Sequence, residues 1–173
     1  VYPRAYVDNA GDNPHIVSRC AANGQSIYLF GIYPNSHKIM YAVCGTGNTL
    51  VQSSAANLTL NAWTYLAITY NGSYVSLYIN GTFNSGYAQS GPIQTTSNRL
   101  TIGCNSYPVT TYAYFNGTID EVRIYNRTLS QQEIQEIMVI PEFPSFLIVP
   151  LFMMATLLAV IVHRRKTRSD SVR

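Results

Sequence analysis

The chain has 173 residues, of which 47% are hydrophobic and only 11% are charged, and its formal net charge is +3. This composition excludes a disordered acidic or basic protein, a collagen-like chain and a coiled coil. Residues 1–140 are formally neutral, so the positive excess belongs to the C-terminus. A neutral body without a basic stripe predicts that the protein does not bind nucleic acid.

The first 129 residues consist of short segments that alternate apolar and polar side chains and are separated by turn residues. The predicted strands are 27–33, 38–44, 63–70, 74–79, 99–103 and 118–125. Asn80 and Gly81 follow one of them and are typical of a β-hairpin, because both residues tolerate positive φ. Trp63 opens a strand and is expected in the core. Strands at this spacing predict an antiparallel sandwich.

A short helix is predicted after the strands. Ser130 and Glu133 have the spacing of a capping box, in which each side chain accepts a hydrogen bond from the other residue's backbone. Ile134 and Met138 then form an apolar stripe at helical spacing. About two turns fit before Pro141, which cannot continue the helix.

The C-terminal region predicts one transmembrane helix. Residues 143–162 carry no charge, and at about 1.5 Å per residue they match the hydrocarbon thickness of a bilayer, about 30 Å. We assign 1–138 to the domain, 139–145 to a linker, 146–162 to the span and 163–173 to a basic cytoplasmic tail. The basic tail places the domain outside the cell. A buried core helix is the alternative for the apolar stretch.

An ordered series of motifs resembles the laminin-G-like, concanavalin A-like jelly-roll domains. The matching segments are 63–72 (WTYLAITYNG), 75–81 (VSLYING), 100–103 (LTIG), 115–130 (FNGTIDEVRIYNRTLS) and the pair Glu133–Ile134. The resemblance implies two curved antiparallel sheets packed face to face. Members of the family begin with strands that precede the one resembled by residues 1–6. The resemblance therefore implies an N-terminally truncated jelly roll.

The residues Pro141, Glu142, Phe143 and Pro144, followed by the apolar span and the basic cluster, resemble the archaeal PEF-CTERM sorting signals that archaeosortases process. This resemblance implies a surface protein that is cut near the motif and re-anchored at the cell surface. An ordinary single-pass anchor is the alternative. Both interpretations place the protein at the cell membrane with an extracellular domain.

Asp120 is the candidate metal ligand. On a strand at 118–125 it would share the core face with Val122 and Ile124, where an unpaired carboxylate is costly. Ca²⁺ prefers carboxylate oxygens, and the family resemblance also implies calcium. The alternative partners are backbone N–H groups of a loop.

Catalysis is not expected. Concanavalin A-like folds include glycoside hydrolases, which need two carboxylates facing one cleft at about 5–10 Å. Asp120 and Glu121 are adjacent in sequence, so on a strand they point to opposite faces. The chain is therefore predicted not to be an enzyme.

Three tyrosines near one loop are weak candidates for ligand binding: Tyr107, Tyr112 and Tyr114. Exposed aromatic rings would stack on sugar rings or anchor a protein partner. The alternative is cross-strand pairing within the sandwich.

The cysteines and the sequons fit an extracellular domain. Cys20, Cys44 and Cys104 permit one disulfide, and their pairing stays open because the count is odd. N-glycosylation sequons begin at Asn57, Asn71, Asn80, Asn116 and Asn126. Turn chemistry is a compatible explanation for these Asn residues.

Together these features predict a membrane-anchored cell-surface protein for binding or adhesion, whose partner is a glycan or a surface protein. Two alternatives stay open. One is a carbohydrate-binding accessory module of a larger extracellular glycoside hydrolase, and the other is a structural component of a surface layer.

Overall fold

The computed structural model describes residues 1–3, 13–20, 26–33, 36–44, 51–104 and 114–139. Its contacts divide the chain into two units, Val1–Met138 and Val139–Arg173. Every strand and the helix begin in the first unit. In chain order they are β1 (Tyr2–Pro3), β2 (His15–Cys20), β3 (Ser26–Ile32), β4 (Lys38–Val43), β5 (Gln52–Asn57), β6 (Leu66–Tyr70), β7 (Tyr74–Ile79), β8 (Thr82–Ala88), β9 (Leu100–Ile102), β10 (Gly117–Thr118) and α1 (Gln131–Val139).

Two antiparallel sheets face each other, with strand orders β5-β4-β3-β2-β9 and β6-β7-β8. Hydrogen bonds cross between them. The Tyr41 hydroxyl on β4 donates to Ser85 Oγ on β8 at 3.0 Å, and Val43 N donates to the Tyr87 hydroxyl at 2.9 Å. The predicted all-β antiparallel sandwich is therefore confirmed.

The core lies between these two sheets. Ile39 and Tyr41 from β4 pack in one cluster with Val75 and Leu77 from β7, and each is almost completely buried. Residues two apart on a strand share a face, so the alternation in β4 and β7 directs these side chains inward. Full burial of such a side chain contributes about 1.5–3 kcal/mol.

The outer face of the five-stranded sheet is also buried at its centre. Leu29, Met40 and Ala42 form a second cluster there. His15 pairs with Gly31 on the neighbouring strand and is only 6% exposed. Burial lowers the pKa of His15 to about 4. Burial on both faces explains why β4 is an almost continuous apolar run.

The three-stranded sheet is built from tight hairpins. Asn80 and Gly81 join β7 to β8 with φ of 49° and 74°, and two positive φ values are what a type I′ turn requires. Between β6 and β7, Asn71 Oδ1 accepts hydrogen bonds from Ser73 N at 3.0 Å and from Tyr74 N at 2.8 Å. Both predicted turns therefore form for local reasons.

Helix α1 begins with the predicted capping box. Glu133 N donates to Ser130 Oγ at 3.2 Å, and Ser130 N donates to Glu133 Oε2 at 2.8 Å. The hydrogen bond from Ser130 N and a second from Arg127 lower the pKa of Glu133. Ile134 is fully buried, and Gln135 Nε2 donates to Gly81 O at 3.0 Å. The predicted short helix is confirmed and packs near the β7–β8 turn.

No helix within the described ranges is long and apolar enough to cross a membrane. The predicted span at 146–162 and the tail at 163–173 lie outside the described residues.

The predicted strand at 118–125 forms only at its start, in β10. Glu121 has a φ of 52°, which takes the backbone out of the extended conformation. Among the described residues, only the two residues of β1 pair with this segment. Val122 and Ile124 are 40% and 62% exposed, so the expectation that they lie in the core with Asp120 is wrong.

Candidate binding surface

The single tryptophan of the chain, Trp63, packs on a tyrosine at one end of the sandwich. Trp63 is 56% exposed, and its ring centroid lies 5.5 Å from that of Tyr2, with an interplanar angle of 56°. The expectation that Trp63 lies in the core is wrong. Thr64 is buried, so the side chain of the preceding residue, Trp63, points to the opposite face of this extended segment.

Backbone hydrogen bonds hold the Tyr2–Trp63 pair in place. Val1 and Thr64 exchange both of their backbone hydrogen bonds, each 2.8 Å long, and Asn61 N donates to Pro3 O at 2.8 Å. On its other side β1 pairs with β10. The two aromatic residues are thus carried by backbone that is fixed on both edges.

Polar groups surround Tyr65 beside this pair. Burial raises the pKa of Tyr65, and Tyr125, Arg123 and Glu121 lie close enough to act on it electrostatically. Arg123 forms an ion pair with Glu121, whose carboxylate raises the pKa of the guanidinium. The exposed Trp63 on the half-buried Tyr2 offers stacking area, and the polar groups near Tyr65, two residues along the chain from Trp63, offer hydrogen bonds, as ligand sites do.

The tyrosines predicted from the sequence lie elsewhere. Tyr114 is 62% exposed and forms an isolated antiparallel bridge with Cys104. Tyr107 and Tyr112 lie outside the described residues. No sequence pattern singles out Trp63 as a contact residue, because a tryptophan at the start of a strand is equally consistent with burial.

Asp120 is exposed and its Oδ1 accepts a hydrogen bond from Glu121 N at 2.9 Å. The left-handed φ of Glu121 ends the strand at this point, so Asp120 is not held on a core face. In the described part of the chain, no group of three or more His, Cys, Asp or Glu side chains lies close enough together to hold a metal ion. Calcium at Asp120 therefore stays a prediction.

All five predicted glycosylation sites are exposed: Asn57, Asn71, Asn80, Asn116 and Asn126. Two of these residues also have structural roles. Asn71 caps the β6–β7 turn, and Asn80 Oδ1 accepts a hydrogen bond from Tyr65 N at 2.9 Å. Exposure makes the side chains accessible to modification, and glycosylation itself stays a prediction.

None of the three cysteines takes part in a disulfide. Cys20 and Cys44 are buried on strands that flank β3, because Cys20 pairs with Ser26 and Cys44 N donates to Ile27 O. Two neighbouring strand spacings amount to about 9–10 Å, which is too far for a disulfide. The sorting residues Pro141, Glu142, Phe143 and Pro144 lie outside the described residues.

A comparison with curated proteins finds no match to this sequence. An S-layer domain-containing protein from Clostridium thermocellum ATCC 27405 aligns with 24% identity and a TM-score of 0.41, over 80% of this chain and 68% of its own. The binding domain of botulinum neurotoxin serotype G aligns with 16% identity and a TM-score of 0.49. That alignment covers 79% of this chain and 34% of the neurotoxin chain, so this chain spans about a third of its length.

The family comparison covers most of the sandwich and the helix. Residues 4–135 match the Laminin_G_3 family, which is described as the concanavalin A-like lectin/glucanases superfamily. The match agrees with the two facing antiparallel sheets and with the resemblance seen in the sequence motifs. The chain belongs to the concanavalin A-like lectin/glucanases superfamily.

Proposed function

We propose that this chain is a non-catalytic binding module of the cell surface, that it recognises a glycan, and that the Tyr2–Trp63 pair is its contact surface. The observation that carries the proposal is the exposure of Trp63 on a rigid edge, together with membership of a superfamily that includes lectins. A large aromatic side chain in water is costly unless a ligand covers it. Arg123 and Glu121 would supply hydrogen bonds to hydroxyl groups.

The proposal includes anchoring by residues 146–162, with the domain outside the cell. The apolar length of this segment and the basic residues that follow it support that orientation. The five exposed sequons are compatible with it. Processing at Pro141–Pro144 belongs to the same proposal and rests on the motif alone.

A glycan array with the full chain in detergent tests this function. We expect wild-type protein to retain a defined set of glycans and Trp63→Ala to lose at least about tenfold in signal, as truncation of an aromatic hot spot does. Phe83→Ala is the matched control, because Phe83 is an exposed aromatic residue of β8 that packs on Tyr78. This control is expected to bind like wild type.

Two results would overturn the assignment: an array on which wild-type protein retains no glycan, or equal binding by Trp63→Ala and wild type. Melting curves of both variants show whether each is folded. Repeating the array with a calcium chelator tests the calcium prediction separately. If wild-type protein binds glycans without the chelator and loses them in its presence, a bound calcium ion is indicated.

A further inference from the structure

Four asparagines of the chain are each followed by glycine: Asn23, Asn71, Asn80 and Asn116. This dipeptide can modify itself, because glycine has no side chain to shield its backbone nitrogen from the side-chain amide of the preceding residue. Asn23 lies outside the described residues. The other three are exposed and begin an Asn-Gly-Ser or Asn-Gly-Thr sequence, so their local sequences give them similar reactivity. The contacts of their amide groups differ.

The amide groups of two of these asparagines are held by hydrogen bonds. Asn71 Oδ1 accepts from Ser73 N at 3.0 Å, from Ser73 Oγ at 2.9 Å and from Tyr74 N at 2.8 Å. Asn80 Oδ1 accepts from Tyr65 N at 2.9 Å, and its backbone lies in the β7–β8 turn with a φ of 49°. Attack on either amide carbon requires the side chain to rotate, which breaks these hydrogen bonds.

The Asn116 side chain is not held in this way. It is exposed, and no described residue forms a hydrogen bond with it. The next residue, Gly117, lies opposite Pro3 in the pair of β1 with β10. Pro3 O accepts a hydrogen bond from Asn61 N on the other edge of β1. Because only every second residue of an antiparallel pair bonds to a given neighbour, the N–H of Gly117 points away from β1.

Glycine is required at position 117 by the close approach of β1. A Cβ at this position would overlap Tyr2 O and would lie 2.7 Å from Cε1 of Phe115. Larger residues therefore do not fit without a shift of the backbone. The packing of β10 against β1 thus places after Asn116 the residue that shields its amide least.

We propose that Asn116 is a site of self-modification, at which the side-chain amide is converted to a carboxylate without an enzyme. The Gly117 nitrogen attacks Asn116 Cγ, so that a new N–Cγ bond forms and the Cγ–Nδ2 bond breaks. The proton of the attacking nitrogen leaves with Nδ2 as ammonia. Water then opens the resulting succinimide ring at either carbonyl, which gives aspartate or isoaspartate.

The conversion changes the segment before β10 in three ways. A neutral amide becomes a carboxylate, which is ionised near neutral pH. The nitrogen that would accept a glycan is lost, so glycosylation and conversion of Asn116 exclude each other. In the isoaspartate form the backbone gains one methylene group before Gly117, next to the residues that pair with β1.

The three described Asn-Gly pairs serve as controls for one another in the test. The full chain is produced in a bacterial host without N-glycosylation and incubated in detergent near neutral pH, with and without urea. Trypsin leaves Asn116 in the peptide 100–123, and Asn71 and Asn80 in the peptide 39–99. Fragment masses then locate the change from amide to acid and give a rate for each residue.

In the folded protein we expect Asn116 to convert at least about tenfold faster than Asn71 and Asn80, because only these two must first break hydrogen bonds. In urea the three rates should agree within about threefold, since the local sequences are alike. Equal rates in the folded protein would overturn the proposal. The same order of rates in urea would also overturn it, because local sequence would then explain the difference.

A matched pair of variants tests the physical cause. Ser73→Ala removes one hydrogen-bond donor from Asn71, and Thr118→Ala removes the hydroxyl at the same distance after Asn116. We expect Ser73→Ala to convert at Asn71 about threefold faster than wild type, and Thr118→Ala to convert at Asn116 at the wild-type rate. An unchanged rate at Asn71, or a changed rate at Asn116, would overturn hydrogen bonding as the cause and with it the assignment of Asn116.

Discussion

Two segments that both predict a strand have different structures in this molecule. Residues 38–44 are an almost continuous apolar run, and residues 118–125 alternate apolar with polar side chains. The first forms β4, with β3 and β5 paired on its edges and both of its faces buried. The second is extended only at Gly117–Thr118 and then exposes Val122 and Ile124.

The difference lies in the neighbours of each segment. The β4 backbone has a partner strand on each edge, and its inward side chains meet β7 and β8. Residues 119–125 line a cavity beside β6, and no described residue forms a ladder with them. A strand is stabilised by cross-strand pairs, so a strand-like segment without a paired neighbour has little stability.

The largest test of this contrast compares two isoleucines. Ile39→Ala removes a fully buried side chain between the sheets and should lower the free energy of unfolding by about 3 kcal/mol. Ile124→Ala removes a side chain that is mostly in water and should cost less than about 0.5 kcal/mol. Urea unfolding of both variants measures the difference. Similar losses would mean that residues 119–125 are packed in solution.

A second test concerns the buried outer face of the five-stranded sheet. The pKa of His15 is about 4 in the folded protein and about 6.5 in the unfolded chain, so the unfolded chain takes up the proton first as pH falls. The free energy of unfolding should therefore decrease between pH 6.5 and pH 4, by about 3 kcal/mol at most from this residue. Urea unfolding across this range measures the slope.

The contribution of His15 is isolated by two variants. Asparagine does not titrate, so the free energy of unfolding of His15→Asn should decrease less than that of the wild type as the pH falls through this range. His37→Asn is the matched control, because His37 has a φ of 56°, which asparagine adopts readily. The slopes of the two variants are compared directly, and equal slopes would mean that the outer face around His15 is open to water in solution.

The smallest effect is expected at the capping box of α1, which forms without a neighbouring strand. Ser130→Ala removes one hydrogen bond of the capping box and should cost about 1 kcal/mol. Gln132→Ala removes an exposed side-chain bond to Glu136 and should cost a few tenths, about 0.3 kcal/mol. Thermal unfolding distinguishes the two. Equal costs would indicate that the cap does not form in solution.

Sequence reasoning succeeded where the signal is local. The Asn80–Gly81 turn depends on two residues that tolerate positive φ, and the start of α1 depends on Ser130 and Glu133. The alternation in β4 and β7 also predicts which side chains lie between the sheets. The strand β5 has no apolar alternation (QSSAAN), and it forms because its Ser54 Oγ accepts a hydrogen bond from Ile39 N.

The candidate site was predicted less well. Tyr114, one of the three tyrosines predicted to bind a ligand, is exposed and its role stays a prediction, whereas Trp63 was wrongly expected in the core. An aromatic residue at the start of a strand is compatible with the core face and with the solvent face. Which face it takes depends on whether the adjacent residue along the strand is buried. The exposure of Asp120 likewise follows from the interruption at Glu121, which no residue pattern indicates.

The sequence by itself determined the antiparallel sandwich, its turns and its short helix, and its motifs identified the superfamily. Each of these depends on residues that are close along the chain or on a strict alternation. Only the tertiary structure decided that Trp63 is exposed beside Tyr2, that His15 is buried, and that a groove lies between β6 and residues 119–125. These features depend on which segments become neighbours, because burial and edge pairing are properties of contacts between distant residues.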